Sequence, residues 1–305
     1  MRPCYYRKIF TFKSAAMEKG FYLLIAILYF SFLSPVQAFP SSIPTIKLTP
    51  SSIGQGEVGL LSIQKKGNMR PEVIWRGTTI AVLPNMQEGA WTSFIGADLT
   101  TTPGRYTLQI KLNNKALIRS VSVLAKDHGM RRFMVPKEME ALDSATLKRA
   151  QKEARQMREL FSVSEEHAHW WGRWIRPVPG KTISPFGCRT FVNSLERSPH
   201  SGVDLKAAEG TIIRASNKGR VVLVADHFFS GLSIVIDHGG GIQSMYFHLS
   251  VVSVQEGQVV EKGEPIGFSG SSGRATGPHL HFGIRLNGER VNPLYLIKLS
   301  ERMEQ

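Results

Sequence analysis

Apolar and polar positions along this 305-residue chain follow two periods, and the period changes twice. From residue 39 to about 126, short apolar runs recur: Ile46-Lys47-Leu48, 58–63, Val73-Ile74-Trp75, Ile80-Ala81-Val82, 106–112 and 118–124. Gly54, Gly56, Gly77, Gly89, Pro103-Gly104 and Asn113-Asn114 punctuate them. Short strands at this spacing, separated by turn residues, predict a β-sandwich-like accessory domain over 39–126. Pro103-Gly104-Arg105-Tyr106 reads as the turn into a late strand of an immunoglobulin-like domain. No cluster of ligand-type residues falls here, which leaves a binding or positioning module, or a spacer.

The period then lengthens. Within a helical linker over 127–175, Leu147, Ala150, Ala154, Met157 and Phe161 recur at helical spacing after a cap at Asp143 or Ser144. Lys148, Arg149, Lys152, Arg155 and Arg158 make the other face basic. The apolar stripe predicts packing on one of the domains; a lid over a groove is the sharper alternative. His167-Ala168-His169-Trp170-Trp171-Gly172-Arg173-Trp174 closes the linker as an aromatic strap between domains.

From 176 to 298 glycine and β-branched residues take over. Strand-like runs at 221–224, 232–236, 242–247 and 278–284 are broken by glycine every few residues. That pattern predicts a glycine-rich antiparallel β-sheet domain with many turns. The fold class expected is therefore mainly β: sandwich, helical linker, glycine-rich sheet.

Composition changes this picture little, and the N-terminus changes it more. Hydrophobic (42%) and charged (20%) fractions are ordinary for a folded protein. Arg2, Arg7, Lys8 and Lys13 precede an apolar run of about 13 residues over 21–33. A small-residue pattern ending at Ala38 follows, so 1–38 reads as an export signal. Met17 is an alternative start, and an uncleaved anchor is the alternative fate. The run is short for a bilayer span. Without 1–38 the chain keeps a net charge of about +10, which suits a polyanionic surface. With export, the partner expected is the cell wall or envelope rather than nucleic acid, and the location expected is the periplasm or envelope. Of the two cysteines, Cys4 leaves with the signal, and Cys188 remains as a lone, partly buried structural thiol.

The candidate chemistry centres on Gly277-Pro278-His279-Leu280-His281-Phe282-Gly283. In a strand, His279 and His281 share one face while Leu280 and Phe282 face a core. His200-Ser201-Gly202-Val203-Asp204 adds an imidazole and a carboxylate four apart, and Tyr246-Phe247-His248 ends a strand with Tyr246 and His248 expected on one face. His200, Asp204, His248, His279 and His281 form a mixed nitrogen and oxygen set. A catalytic zinc uses three such ligands and an open position, leaving two imidazoles for proton transfer. Spacing leaves open which of His279 and His281 is the ligand. Arg189 and Tyr246 are weaker candidates for substrate contact; an ion-pair role is the plainer reading of Arg189. His238, at a hairpin turn, reads as structural.

Those three segments, with 257–263, Ile266-Gly267 and Gly270 before the last, resemble the signatures of the lysostaphin-type (LytM-like) zinc endopeptidases. The resemblance covers about 183–294. It implies one Zn2+ per chain held by His200, Asp204 and His281, with His279 catalytic and His248 its partner across the groove. It also implies hydrolysis of peptide bonds in peptidoglycan stems or cross-links. Two other readings stand beside it. One is a non-catalytic envelope regulator of another wall hydrolase, with a protein partner bound through the N-terminal domain. The other is a carrier domain, suggested by 259–267 but lacking the lysine at an exposed hairpin tip. Oligomeric state is left open.

Overall fold

The structure, a computed structural model, describes residues 44–64, 69–86, 88–112, 115–134 and 142–303. The export signal expected at 1–38 and the turn expected at Asn113-Asn114 lie outside the described residues. Among the described residues no helix is long and apolar enough to cross a membrane.

The N-terminal runs pair into two sheets. One holds Ile46–Thr49, Val58–Gln64, Ala90–Gly96 and Leu83–Asn85, in that spatial order. The other holds Ile53–Gly54, Lys115–Leu124, Gly104–Leu112, Glu72–Trp75 and Thr78–Ile80. Between them Ile53, Leu61, Ile63, Val73, Ile95, Leu108 and Ile110 are fully or almost fully buried, which is the core of a sandwich. At the predicted late-strand turn, the Tyr106 hydroxyl donates back to the Thr102 carbonyl at 2.6 Å. Such a tyrosine corner is an immunoglobulin-like feature. The Ala90–Gly96 strand is not visible as an alternating run, because six of its seven residues are buried on both faces, Thr92 and Ser93 among them.

The linker opens on a strand rather than a helix. Met130–Phe133 pairs in parallel with Arg189–Val192, far along the chain. The helix then runs Ser144–Phe161, and Asp143 caps it by accepting from the backbone N–H groups of Ala145 and Thr146. Its packed face is rotated from the expected stripe. Leu147 and Ala154 are exposed, whereas Ala150, Met157, Leu160 and Phe161 turn inward. Met157, Leu160 and Phe161 cover Leu223, Val235 and Met245 on the C-terminal sheet.

That sheet has ten strands. Its spine is Val203–Lys206, His279–Leu286, Ile242–Val252, Gly231–Asp237 and Gly219–His227, all antiparallel. Two-residue alternation divides its faces. Val203, Leu205, Tyr246, Leu280, Phe282 and Ile284 lie in the core, and the alternate residues face the other way. The same core continues through Trp170 and Trp174 to Phe94, Leu60 and Val58 of the sandwich. The Trp170 ring lies 5.5 Å from Phe94 and 5.8 Å from Trp174, and Trp174 lies 4.6 Å from His238. Asp98 of the sandwich also receives three hydrogen bonds from Arg290, at 2.6–3.0 Å. Residues Pro44–Gln305 accordingly form one compact unit.

Candidate metal centre

Register puts the site together. In the Val203–Lys206 and His279–Leu286 pair, Asp204 lies opposite His281 and Lys206 opposite His279. On the other side Phe247 lies opposite His281. Directly opposed residues share a face, so Asp204, His281 and Phe247 form one row. Phe247 stacks flat on His281 with ring centroids 5.4 Å apart.

His200 comes from the loop before Asp204 and is pinned at several points. Its backbone N–H donates to the Cys188 carbonyl at 3.1 Å, and its own carbonyl accepts from Gly187 at 2.8 Å. The buried Cys188 is thus structural, holding this loop through its backbone. The His200 Nδ1 lies 2.8 Å from the Pro185 carbonyl. Gly202 is required by the close approach of the strand. A Cβ there would come 2.5 Å from the Phe282 carbonyl oxygen and 2.7 Å from His281 Nε2.

Three donor atoms converge. His200 Nε2, His281 Nδ1 and Asp204 Oδ1 lie 3.0 Å from one another. Among the described residues they form the one group of this kind. A carbonyl can only accept, so the bond to Pro185 puts a proton on His200 Nδ1 and leaves Nε2 bare. A bare ring nitrogen, a second ring nitrogen and a carboxylate oxygen in mutual contact need a shared proton or a cation among them. Three ligands of a tetrahedral zinc would stand roughly 3.3 Å apart, so the set fits a metal. Burial would raise the Asp204 carboxyl, but the contacts with His200 and His281 outweigh it and hold it well below the usual carboxylate range. Burial pushes the His281 imidazole down. Both effects keep the donors in their metal-binding forms.

His279 and His248 flank this group. His279 Nδ1 meets the Gly277 carbonyl at 2.8 Å, which leaves Nε2 bare and 3.8 Å from Asp204 Oδ1. His248 Nδ1 meets the Ser272 carbonyl at 2.9 Å, and burial pushes its pKa down to about 4. The two rings lie 4.8 Å apart. Ser272 is the residue that sequence reasoning misses. It also binds Leu232 N–H and the Leu249 carbonyl through its hydroxyl, at 2.9 and 2.7 Å. No motif in the sequence marks a residue that acts through its backbone carbonyl.

Two weaker candidates fall away from the site. Tyr246 and His248 do not share a face. Tyr246 lies opposite Phe282 in the core, is fully buried, and its hydroxyl meets Ser216 N–H at 2.8 Å and Ser244 Oγ at 3.0 Å. It is inaccessible to a substrate. Strict alternation would bury His248 beside it. Instead His248 has φ of 64° at a register shift, and this bulge turns its ring onto the metal side. Arg189 is taken up by Glu196 at 2.7 Å, an exposed ion pair over the Phe191 ring. The second His-x-His, at 167 and 169, has no metal group among the described residues. His169 bonds Glu165, and its backbone holds His238. His238 itself is buried between the Lys218 carbonyl and Ser244 Oγ, a structural position.

Residues 198–293 match the model of peptidase family M23. Over 121 residues the chain is 43% identical to the DD-carboxypeptidase/endopeptidase Mpg of Neisseria meningitidis serogroup B, covering 39% of this chain and 28% of that protein. It is 41% identical over 97 residues to the peptidoglycan DD-endopeptidase ShyA of Vibrio cholerae serotype O1, covering 32% of this chain and 23% of that protein. The chain thus spans less than a third of the length of these relatives. A solved structure assigned to peptidase M23 from Pseudomonas aeruginosa is more extensive. It is 30% identical, covers 80% of this chain and 95% of its own, and superposes with a TM-score of 0.64. With 95% of that structure covered at 30% identity, this chain belongs to peptidase family M23.

Proposed function

We propose that the protein is an exported zinc endopeptidase that hydrolyses peptide bonds in the stems or cross-links of peptidoglycan. The observation that carries this reading is the set of three mutually contacting donors, His200, Asp204 and His281, flanked by two imidazoles with bare Nε2 atoms. The relatives' names, a DD-carboxypeptidase/endopeptidase and a peptidoglycan DD-endopeptidase, add a preference for a DD bond.

His200 Nε2, Asp204 Oδ1 and His281 Nδ1 would hold one zinc ion. A zinc ion there would supply Lewis-acid polarisation of the scissile carbonyl and acidify water. The remaining work falls to the protein. Pro185 and the Phe247 ring fix the ligand imidazoles. The Gly277 and Ser272 carbonyls hold His279 and His248 with Nε2 free to take a proton. A proton accepted at Nε2 of one imidazole is then available to the leaving amine, the usual sequence of general base and general acid. Histidine does the proton transfer that glutamate does in His-Glu-x-x-His enzymes. A complete donor set with both flanking imidazoles favours catalysis over a purely regulatory role. The basic surface suits an anionic wall polymer, and 1–38 suits export to the periplasm or envelope.

Purified peptidoglycan digested by the zinc-loaded full chain should release fragments with new amine and carboxyl ends at a peptide bond. Chelation should stop the release and zinc should restore it. Intact sacculi after incubation with zinc-loaded protein would contradict the proposal.

A further inference from the structure

The sheet face that carries Asp204, His281 and Phe247 does not end at the metal group. It continues along the same strands through Gly283 and Met245, beneath the linker helix, to Gln243 and Arg285. Four residues of strand separate His281 from Arg285, about 13 Å. There a cavity of about 800 Å3 opens between the helix end, the 239–241 turn and the sandwich edge at 78–81.

Arg285 is the unusual group in its wall. Its Nε is buried with no hydrogen-bond partner among the described residues. Its Nη1 makes one long hydrogen bond, 3.3 Å to the Gly288 carbonyl, and its guanidinium lies 4.8 Å from the Phe161 ring centroid. No carboxylate pairs with it among the described residues. Burial and the nearby Arg290 push its pKa down to about 10, so it stays charged at neutral pH. Arg290 is itself committed to Asp98. A half-buried charge with no carboxylate partner and one buried N–H unsatisfied has hydrogen-bonding capacity left for an anion.

The rest of the wall is built to match. Arg158 and Arg70, both exposed, line the same cavity. Of its two acids, Glu165 is tied to Arg220 and His169, and Glu166 is exposed. Gln243 is fixed by donating to the Leu160 and Val163 carbonyls, at 3.1 and 2.6 Å. The floor is closely packed, since a Cβ on Gly241 would come 1.9 Å from Asn287 Oδ1.

We propose that this cavity is a binding site for a small ligand carrying an oxyanion, a carboxylate or a phosphate. In this site the half-buried Arg285 guanidinium takes the anion and Arg158 and Arg70 close over it. The Phe161 and Ile80 side chains in the wall suit a short apolar arm beside the acid group. The site is separate from the metal centre and does not depend on which bond that centre cleaves.

The test is thermal unfolding and direct binding on the full zinc-loaded chain. The probes are inorganic phosphate, a short peptide with a free terminal carboxylate, its amidated form, and vesicles of anionic lipid. At saturation, wild type should gain about 5 °C in Tm with phosphate or the acid peptide and nothing with the amide. Arg285→Met should lose that gain without a fall in its own Tm, because a half-buried charge with no carboxylate partner has been removed. Arg158→Gln should fold normally and bind at least about 10-fold more weakly. Binding of vesicles in addition to phosphate, both lost in Arg285→Met, would assign the anion to a lipid headgroup; binding of vesicles alone would overturn the small-ligand site. An equal gain in Arg285→Met would place the anion elsewhere, the metal centre included, and overturn the proposal. So would the absence of any gain in wild type. Should Arg285→Met be unstable, unchanged binding by Arg158→Gln overturns it instead.

Discussion

Two His-x-His pairs stand in this chain, and among the described residues only one joins a candidate metal group. His279 and His281 lie on a paired strand, where register brings Asp204 and Phe247 alongside. His167 and His169 lie in a segment without strand or helix, where tryptophans and the 238–240 turn hold the chain. Spacing is the same in both. What differs is the neighbour supplied: a carboxylate and a third imidazole at 3.0 Å from far along the sequence in one case, a local hydrogen bond to Glu165 in the other. A two-residue period chooses a face, and pairing chooses what that face meets.

The first way to break the comparison is to remove one ligand. His281→Ala should lose both bound metal and activity, down to background. Retained hydrolysis would mean that the cluster is not the site. Next comes His279→Ala, expected to keep the metal and lose about 10²–10⁴-fold in kcat. A metal-free His279→Ala would show that the division between ligand and proton-handling residue is misassigned.

The latch that docks the sandwich on the sheet gives a smaller effect, on stability rather than rate. Burial raises the Asp98 carboxyl, but the Arg290 hydrogen bonds lower it further, so its folded pKa lies below the unfolded value of 3.8. Its stabilisation is therefore present above about pH 4 and lost as the pH falls below it. Asp98→Asn should cost about 3 kcal/mol near pH 7. Denaturant unfolding should show wild type and variant converging in acid. A constant gap down to pH 2 would refute the assignment. The smallest effect is expected from His169→Ala. Loss of its bond to Glu165 should cost about 1 kcal/mol, with no change in activity.

Much of this architecture is legible in the sequence. The fold class follows from short apolar runs with turn residues, and the Asp143 cap from local chemistry. What the sequence does not carry is non-local. Met130–Phe133 holds two arginines and becomes a strand only through Arg189–Val192. The helix stripe turns because Leu223, Val235 and Met245 decide which face is covered. By alternation His248 reads as a partner of Tyr246, and only its left-handed backbone moves it to the metal side. Arg285 lies in no motif at all, since a half-buried charge with no carboxylate partner is defined by what surrounds it.

The measurement closest to the central claim is the zinc content of three full-length proteins after dialysis: wild type, His281→Ala, and His167→Ala/His169→Ala. One zinc per chain is expected in wild type, none in His281→Ala and one in the double variant. Zinc kept by His281→Ala, or lost from the double variant alone, would contradict that claim.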